Sequence, residues 1–502
     1  MRFTSLVVEL IRARPRLVVI IVLLCQAALW LAVALLFYRS PPIDLATTLA
    51  FGREYRVGTD LGPPLSFWLA DFAYRLAGSH MFGVYLLAVL ASSATLWLVY
   101  LLARMIVGGQ QAVLAVLLTM TVTAFGAPTL EFGPEVLARP LWAALLYHSW
   151  QLLGRNRRDA WFAWSIEAGL LLLTTPSASG LLLLLVGFAL STPQGRRLLK
   201  SFDPLLALLV VLVLALPYLI FVVRADGLAL PPLPVLAELG ARAVHWLGLA
   251  GGLLLAMAGI IVLVVLNASW FSRSETDAPI IYRPPVSPLA RDFVYCFALA
   301  PPIAGSLISG LFNLDMVIGG PGIALLMVGL AMVVASGDLI QLRRQRMLRA
   351  VWAAIIAIPA VLVIGGSIVL PWTTGSEVAT AMPANAIAQF FVDGFERRTH
   401  QKLRAVAGDP QLARLVALGR GRPHLFLDAT PQRTPWETQG EFAESGGVVL
   451  WRASDTVGTP PSDIAQRFPN LVPEVPRSFD WLINGRQPVL RIGWAIVRPK
   501  GT

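Results

Sequence analysis

Charged side chains are scarce in this chain. Asp, Glu, Lys and Arg make up 14% of the 502 residues, whereas a soluble domain usually contains about 25%. Hydrophobic residues make up 56% and the mean hydropathy is +0.69. This composition excludes a soluble globular protein and predicts a mostly α, polytopic membrane protein.

Cysteine and nucleotide-binding motifs are also scarce or missing. The two cysteines, Cys25 and Cys296, both lie in apolar segments, which excludes a disulfide framework. The sequence has no P-loop, no GxGxxG, no Ser/His/Asp pattern, no zinc spacing and no nucleic-acid module. We therefore expect no cofactor, with a divalent metal ion left open. An enzyme acting on the outer face would need a lipid-borne donor.

Basic residues are plentiful, with a net charge of +11. Of the 40 Lys and Arg residues, 17 cluster beside apolar segments, as the positive-inside bias of membrane proteins predicts. The clusters are Arg2, Arg12, Arg14, Arg16; Arg155, Arg157, Arg158; Arg196, Arg197, Lys200; Arg273, Arg283, Arg291; and Arg343, Arg344, Arg346, Arg349. They predict that the N-terminus is cytoplasmic.

About eleven apolar segments reach or approach the roughly 20 residues that a spanning helix needs. They begin near Leu17, Met81, Ala112, Val136, Ala160, Gly180, Leu205, Trp246, Phe293, Gly322 and Val351. The first is too long for a signal-peptide core and lacks a cleavage site, so it is interpreted as a span. This count places Asp44–His80, Glu131–Glu135, Arg224–Arg242 and the residues after Trp372 on the outer side.

The first outer loop, residues 38–80, predicts two interfacial amphipathic helices. Ala46–Tyr55 forms one, and Pro63 and Pro64 begin the second, since proline suits a first helical turn. Aromatic residues in the second helix suit the membrane interface. We assign this loop to a membrane domain of residues 1–371.

Charge and turn residues increase after Trp372 and predict a small α+β domain on the outer face, residues 372–502. Ala384–Val406 is interpreted as an amphipathic helix. Three short strands are predicted at His424–Leu427, Gly447–Trp451 and Pro488–Val497, with turn-rich segments at Thr430–Trp436 and Gly458–Ser462.

Asp44 is the first candidate for chemistry. An acid placed directly after a span needs water or a partner, which suits a catalytic carboxylate. The alternative is an N-cap for the helix that begins at Ala46. Glu135, after Phe132-Gly133-Pro134, is the second candidate, and its alternative is a favourable charge at a helix N-terminus.

Several other residues could contact a substrate. Arg53, Arg56 and Arg224 could grip a phosphate, because guanidinium matches its geometry; the alternative is an arginine that snorkels to the interface. Glu167 lies inside a predicted span with His148 as its candidate partner.

Several motifs together resemble the GT-C class of membrane glycosyltransferases, specifically the family 39 group. That group includes lipid A aminoarabinose transferases, rhizobial lipopolysaccharide core transferases and protein O-mannosyltransferases. Asp44 and Gly62-Pro63-Pro64-Leu65 resemble the family's acid and its later His-Pro-Pro-Leu turn. Phe132-Gly133-Pro134-Glu135 resembles its second acidic motif, and Leu173–Pro176 with Leu185–Lys200 resembles the following spans.

The sequence departs from the family pattern at four positions. Leu45 replaces the second acid of an Asp-Glu pair, and Gly62 replaces the histidine before Pro-Pro. The basic residue that the family often has near the position of Thr175 is absent, and Tyr85 replaces a frequent arginine. We assign Asp60, His80, Tyr85 and Thr175 to a candidate substrate cavity.

The resemblance implies a protein of the bacterial inner membrane with a periplasmic C-terminal domain. It also implies a polyprenyl-phosphate sugar donor and an acceptor that is an envelope glycolipid, a polysaccharide or a protein. Asp44 would act as general base and Glu135 would orient its surroundings or the acceptor. Two alternatives stay open: a catalytically degenerate relative that binds lipid-linked sugar or acts as a scaffold, and a transporter or flippase. Repeat-related halves with broken helices would favour a transporter.

Overall fold

A computed structural model describes residues 3–126, 130–224, 235–268, 280–427, 436–481, 483 and 485–499. In chain order its helices are α1 (Phe3–Ala13), α2 (Pro15–Phe37), α3 (Ile43–Gly52), α4 (Leu65–Leu76), α5 (Phe82–Thr119), α6 (Thr123–Gly126), α7 (Pro134–Arg155), α8 (Ala160–Leu172), α9 (Ala178–Ser191), α10 (Pro193–Leu199), α11 (Asp203–Arg224), α12 (Leu239–Ala256), α13 (Ala258–Asn267), α14 (Pro288–Phe312), α15 (Gly320–Ala324), α16 (Val328–Ala335), α17 (Gln345–Thr373), α18 (Ala384–Thr399), α19 (Pro410–Ala417), α20 (Gln439–Ser445) and α21 (Ser462–Arg467). The strands are β1 (Ile280–Tyr282), β2 (Leu339–Gln341), β3 (Ala405–Gly408), β4 (His424–Phe426), β5 (Gly447–Arg452), β6 (Pro473–Phe479) and β7 (Leu490–Val497).

The chain forms two compact units. Unit 1 contains Met1–Leu31 and Tyr85–Ala360, and unit 2 contains Ala32–Val84 and Val361–Thr502. The boundaries fall within α2, α5 and α17. The domain boundary predicted after residue 371 stays a prediction.

Spanning helices dominate the chain, which confirms the predicted fold class. Among the described residues, α2, α5, α11, α12, α14 and α17 are long and apolar enough to cross a membrane. A seventh span results if α9 and α10, bent by 111°, count as one. The predicted total of about eleven is larger because it also counts α7, the shorter α8, the segment near Gly322 that forms α15 and α16, and each arm of α5.

A break inside α5 explains one of the predicted segments. Gly108 has φ +79° and ψ 168°, which ends one helical arm and begins another. Glycine suits this backbone because it has no Cβ. The segment predicted to begin near Ala112 is the second arm of α5.

The core of unit 1 contains an aromatic cluster between α7, α9 and α14. Phe293 and Phe297 lie 4.7 Å apart by ring centroids, and Phe188 lies 5.5 Å from Phe293. Trp142 and Trp150 of α7 contact the same two phenylalanines. All five side chains are buried, so these rings fill the space between the three helices.

Unit 2 is built around a five-stranded mixed sheet with the order β4-β3-β5-β7-β6. Strands β4, β3 and β5 run parallel, whereas β7 is antiparallel to β5 and β6. Alternate side chains of β5 point to opposite faces: Val448 and Leu450 pack with residues of α18 and α19, and Val449 and Trp451 pack with Phe442 of α20. The sheet is therefore covered by helices on both faces.

The structure confirms three predicted strands and corrects one helix. Ala384–Val406 is not one helix, because α18 ends at Thr399 and His400 adopts a left-handed φ of +55°. Ala405–Gly408, a few residues later, form the buried strand β3. Neither β3 nor β6 was predicted. Residues 430–435 of a predicted turn-rich segment, residues 225–234 of a predicted outer loop and Arg273 lie outside the described residues.

The two helices of the loop 38–80 pack with the α+β domain in unit 2. Phe51 of α3 contacts Phe67 of α4, and its ring lies 5.0 Å from that of Trp436 in an edge-on contact. Gly52 permits the close approach of α3 and α4, since a Cβ there would lie 2.2 Å from the Phe67 carbonyl oxygen. Both helices begin and end close to the predicted positions.

Candidate active site

Asp44 lies in the first turn of α3 and its side chain is exposed. The N-cap of this helix is Pro42, so the alternative role of Asp44 as N-cap is wrong. A carboxylate in the first turn still interacts favourably with the helix dipole. Asp44 is thus a solvent-accessible carboxylate on a short helix whose other face is buried.

Arg414 of α19 is half-buried and interacts electrostatically with Asp44. Burial lowers the pKa of the Arg414 guanidinium, and the charges of Asp44 and then Asp409 partly offset this shift. The Nε of Arg414 is buried without a hydrogen-bond partner among the described residues. The C-terminal domain therefore supplies positive charge to the surroundings of the candidate base.

Asp71 of α4 is the centre of a buried charge cluster. Its side chain is 0% exposed, and its two carboxylate oxygens lie 2.7 Å from Arg75 Nε and 2.5 Å from Arg422. A buried carboxylate is stable only when it is paired. Arg75 is the next-turn residue on α4, whereas Arg422 comes from the turn before β4.

A second ion pair links the loop to the same turn. Glu54 accepts a hydrogen bond from His424 Nδ1 at 2.7 Å. Glu437 is buried nearby, and burial raises its pKa, while the charge of His424 opposes that shift. Acids of the loop and of the C-terminal domain thus share one histidine.

The structure places the other predicted residues of the loop in varied surroundings. Arg53 follows α3 and is half-buried; burial lowers its pKa, with smaller contributions from Glu54 and Arg422. Arg56 is exposed, and its backbone carbonyl accepts a hydrogen bond from Trp68 Nε1 at 3.1 Å.

Asp60 and His80 are both exposed. His80 Nδ1 accepts a hydrogen bond from the Phe82 amide at 3.1 Å, which fixes the turn before α5. Asp60 lies in the turn closed by a backbone bridge between Thr59 and Gly62. Their assignment to a substrate cavity stays a prediction.

Glu135 lies in unit 1 and packs against a glycine-rich segment, Gly319-Gly320-Pro321-Gly322. A Cβ on Gly320, whose φ is +78°, would lie 2.7 Å from Glu135 Oε2. A Cβ on Gly322 would lie 2.3 Å from Arg139 Nε. Only glycines allow the backbone to approach these two charged side chains so closely.

Arg139 lies one turn after Glu135 on α7 and is 4% exposed. Its Nη1 donates a hydrogen bond to the Ala124 carbonyl at 2.9 Å, and its guanidinium lies over the Phe125 ring. A buried guanidinium needs such acceptors and a nearby anion. The sequence analysis missed Arg139, although an arginine four residues after an acid on an apolar helix is a recognisable signal.

Thr175 is brought to the same glycine-rich segment. Its Oγ1 lies 2.8 Å from Ser177 Oγ, and a Cβ on Gly319 would lie 3.3 Å from that Ser177 oxygen. Glu135 thus packs against this segment directly, and Thr175 is linked to it through Ser177. Tyr85 is buried in unit 1, and Arg224 is the exposed last residue of α11.

The predicted residues thus divide between the units. Asp44, Arg53, Arg56, Asp60 and His80 belong to unit 2, and Glu135, Tyr85, Thr175 and Arg224 belong to unit 1. The convergence of Asp44 and Glu135 stays a prediction. Within the described ranges, no three His, Cys, Asp or Glu side chains are grouped as metal ligands.

Comparison with known proteins supports a glycosyltransferase fold. Residues 62–221 match the model of the dolichyl-phosphate-mannose-protein mannosyltransferase family. This range includes Glu135 and Thr175 and leaves out Asp44. No curated protein matches the chain.

Two solved structures of ArnT from Cupriavidus metallidurans are similar to this chain. The structure bound to undecaprenyl phosphate has 13% sequence identity and a TM-score of 0.59, covering 96% of this chain and 98% of that chain. The apo structure has 14% identity and a TM-score of 0.50, covering 95% and 97%. These similarities confirm the multi-pass membrane fold and the resemblance to GT-C glycosyltransferases.

Proposed function

We propose that this protein is an inverting glycosyltransferase with Asp44 as its general base. It would move a sugar from a polyprenyl-phosphate donor to an envelope glycolipid, polysaccharide or protein on the outer face of the inner membrane. The observation that carries the proposal is an exposed carboxylate, on a helix packed against the C-terminal domain, in a fold similar to ArnT over 96% of the chain.

The reaction is a single displacement. Asp44 accepts the proton of an acceptor hydroxyl as that oxygen bonds to the anomeric carbon. The bond from the anomeric carbon to the phosphate oxygen breaks, and polyprenyl phosphate leaves with the electron pair. Attack opposite the leaving group inverts the anomeric centre, as in inverting glycosidases.

The exposure of Asp44 suits a base that must meet an acceptor. Arg414 places positive charge near that carboxylate. We propose that Arg53, Arg56 and Arg224 stabilise the leaving phosphate, because guanidinium groups match phosphate oxygens. Glu135, held against Gly320, would orient the acceptor or the surroundings of the base.

The test compares two aspartates in similar helical positions. Asp44→Asn should abolish transfer, measured by mass spectrometry of envelope glycolipids in a strain whose own copy is deleted. Asp463→Asn is the matched control, since Asp463 is an exposed acid in the first turn of α21. Normal transfer by Asp44→Asn at equal protein level would eliminate the mechanism.

A further inference from the structure

One arginine of the C-terminal domain holds both helices of the loop 38–80. Arg422 pairs with Asp71 of α4 at 2.5 Å, and its Nη2 donates a hydrogen bond to the Leu49 carbonyl of α3 at 3.3 Å. Its guanidinium also lies 5.1 Å from the Tyr74 ring centroid. A guanidinium can make these contacts together because it presents several N–H donors in a fixed plane.

The backbone of Arg422 is strained. Its φ is +47°, a left-handed conformation that glycine and asparagine adopt more easily than arginine. Such a conformation persists only when surrounding contacts hold it. The Arg422 amide donates a hydrogen bond to the Gly419 carbonyl at 2.9 Å, and the side-chain contacts with Asp71 and Leu49 add to this support.

The contact at Leu49 is directed at the helix that carries Asp44. Leu49 lies in the second half of α3, where a cation complements the negative end of the helix dipole. Asp44 lies in the first turn, about 7.5 Å away along the axis. The charge of Arg414 acts near that first turn. The segment 414–422 therefore interacts with both halves of α3: Arg414 with the first turn and Arg422 with the second half.

We propose that Arg422 is a positioning residue: through Asp71 and the Leu49 carbonyl it fixes the orientation of α3 and thereby of the Asp44 carboxylate. This inference rests on the proposed function. It gives the C-terminal domain a role in the transfer reaction, because a base displaced by about 1 Å can lose 100-fold in rate.

The first experiment measures the initial rate of glycolipid product after induction of full-length variants in the deletion strain, at equal protein level. Arg422→Gln should lower the rate about 10- to 100-fold. Arg420→Gln is the matched control, since Arg420 is an exposed arginine two residues away, and it should keep the normal rate. Millimolar guanidinium added to membranes carrying Arg422→Ala should restore part of the rate.

The second experiment separates positioning from folding. The double variant Asp71→Asn with Arg422→Gln removes the buried carboxylate together with the guanidinium of Arg422. Arg75 also loses its partner, but its side chain is 52% exposed and water can solvate it. The Tm of the double variant in detergent should therefore recover relative to Arg422→Gln. Its rate should stay low, because α3 is still not held at Leu49.

The outcomes are distinguishable. If Asp44→Asn transfers normally, the proposed function itself is overturned. If Asp44→Asn is inactive but Arg422→Gln matches Arg420→Gln, only the positioning role is overturned. A double variant whose rate recovers together with its Tm would also overturn that role and leave Arg422 as a purely structural residue.

Discussion

His148 on α7 and Glu167 on α8 form an ion pair in which Nδ1 lies 2.8 Å from a carboxylate oxygen. The sequence analysis named this pairing, and the structure confirms it. Both side chains are largely buried, at 20% and 15% exposure. Ionisable groups in spanning helices are costly unless they are paired. The ion pair joins α7 to α8 together with a second polar contact, the hydrogen bond that Trp164 Nε1 donates to Ser149 Oγ at 2.9 Å.

Removal of either partner should therefore weaken the packing of α7 on α8. Polar contacts between spanning helices contribute about 0.6 kcal/mol on average and up to about 1.7 kcal/mol, so we expect His148→Ala and Glu167→Gln each to lower stability within that range. Thermal unfolding in detergent would measure it. The double variant serves as control: losses that simply add would contradict a direct interaction.

A methyl group at Gly320 should disturb Glu135. The added Cβ would lie 2.7 Å from Glu135 Oε2, and the φ of +78° disfavours any L-side chain. Such a strained position costs on the order of 1–3 kcal/mol. We expect Gly320→Ala to lower both Tm and glycan transfer, measured in purified protein and in the deletion strain.

Gly187→Ala is the matched control for that change. Gly187 lies inside α9 and a Cβ there would meet nothing within 4 Å. Alanine inside a helix is about 0.5–1 kcal/mol more favourable than glycine, so stability should stay equal or rise. If both variants behave alike, the glycine-rich segment does not constrain Glu135.

Buried Glu437 should make the stability of the C-terminal domain depend on pH. Burial raises its pKa above the ordinary value of 4.5, so the folded state favours the protonated form. Its contribution to stability is complete below the unfolded pKa and is lost as pH rises through the folded pKa. Glu437→Gln, which cannot ionise, should therefore gain Tm relative to the natural protein as pH increases from about 4 to 8.

The matched change is Glu444→Gln, because Glu444 is an exposed acid on α20. Its Tm difference from the natural protein should stay flat across the same pH range. A flat difference for Glu437→Gln as well would mean that burial of this carboxyl does not affect folding.

Much of the fold could be predicted because membrane spans and short loop helices are local patterns. Apolar length identified α2, α11 and α14, and the proline pair before Leu65 marked the start of α4. Strand β3 was missed because Ala405–Gly408 is too short and too weakly β-forming to be separated from the amphipathic pattern of α18. The helix break at Gly108 was also missed, because Gly108 lies inside a long apolar run whose periodicity gives no sign of a break.

The candidate site was only partly predictable. Asp44 and Glu135 follow from their place beside spans and from motif spacing. Asp71 was missed because an acid on an amphipathic loop helix is usually solvated, and its burial depends on Arg422, 351 positions later in the chain.

By itself, the sequence determined that this is a multi-pass membrane protein with an acid after its first span. Apolar runs of spanning length and the charges that flank them are properties of contiguous residues, so they can be read without the fold. Only the tertiary structure decided which groups from distant segments meet. Arg422 reaches Asp71 and Leu49, and Gly320 contacts Glu135, because folding brings distant segments within a few ångströms. No local pattern encodes those distances.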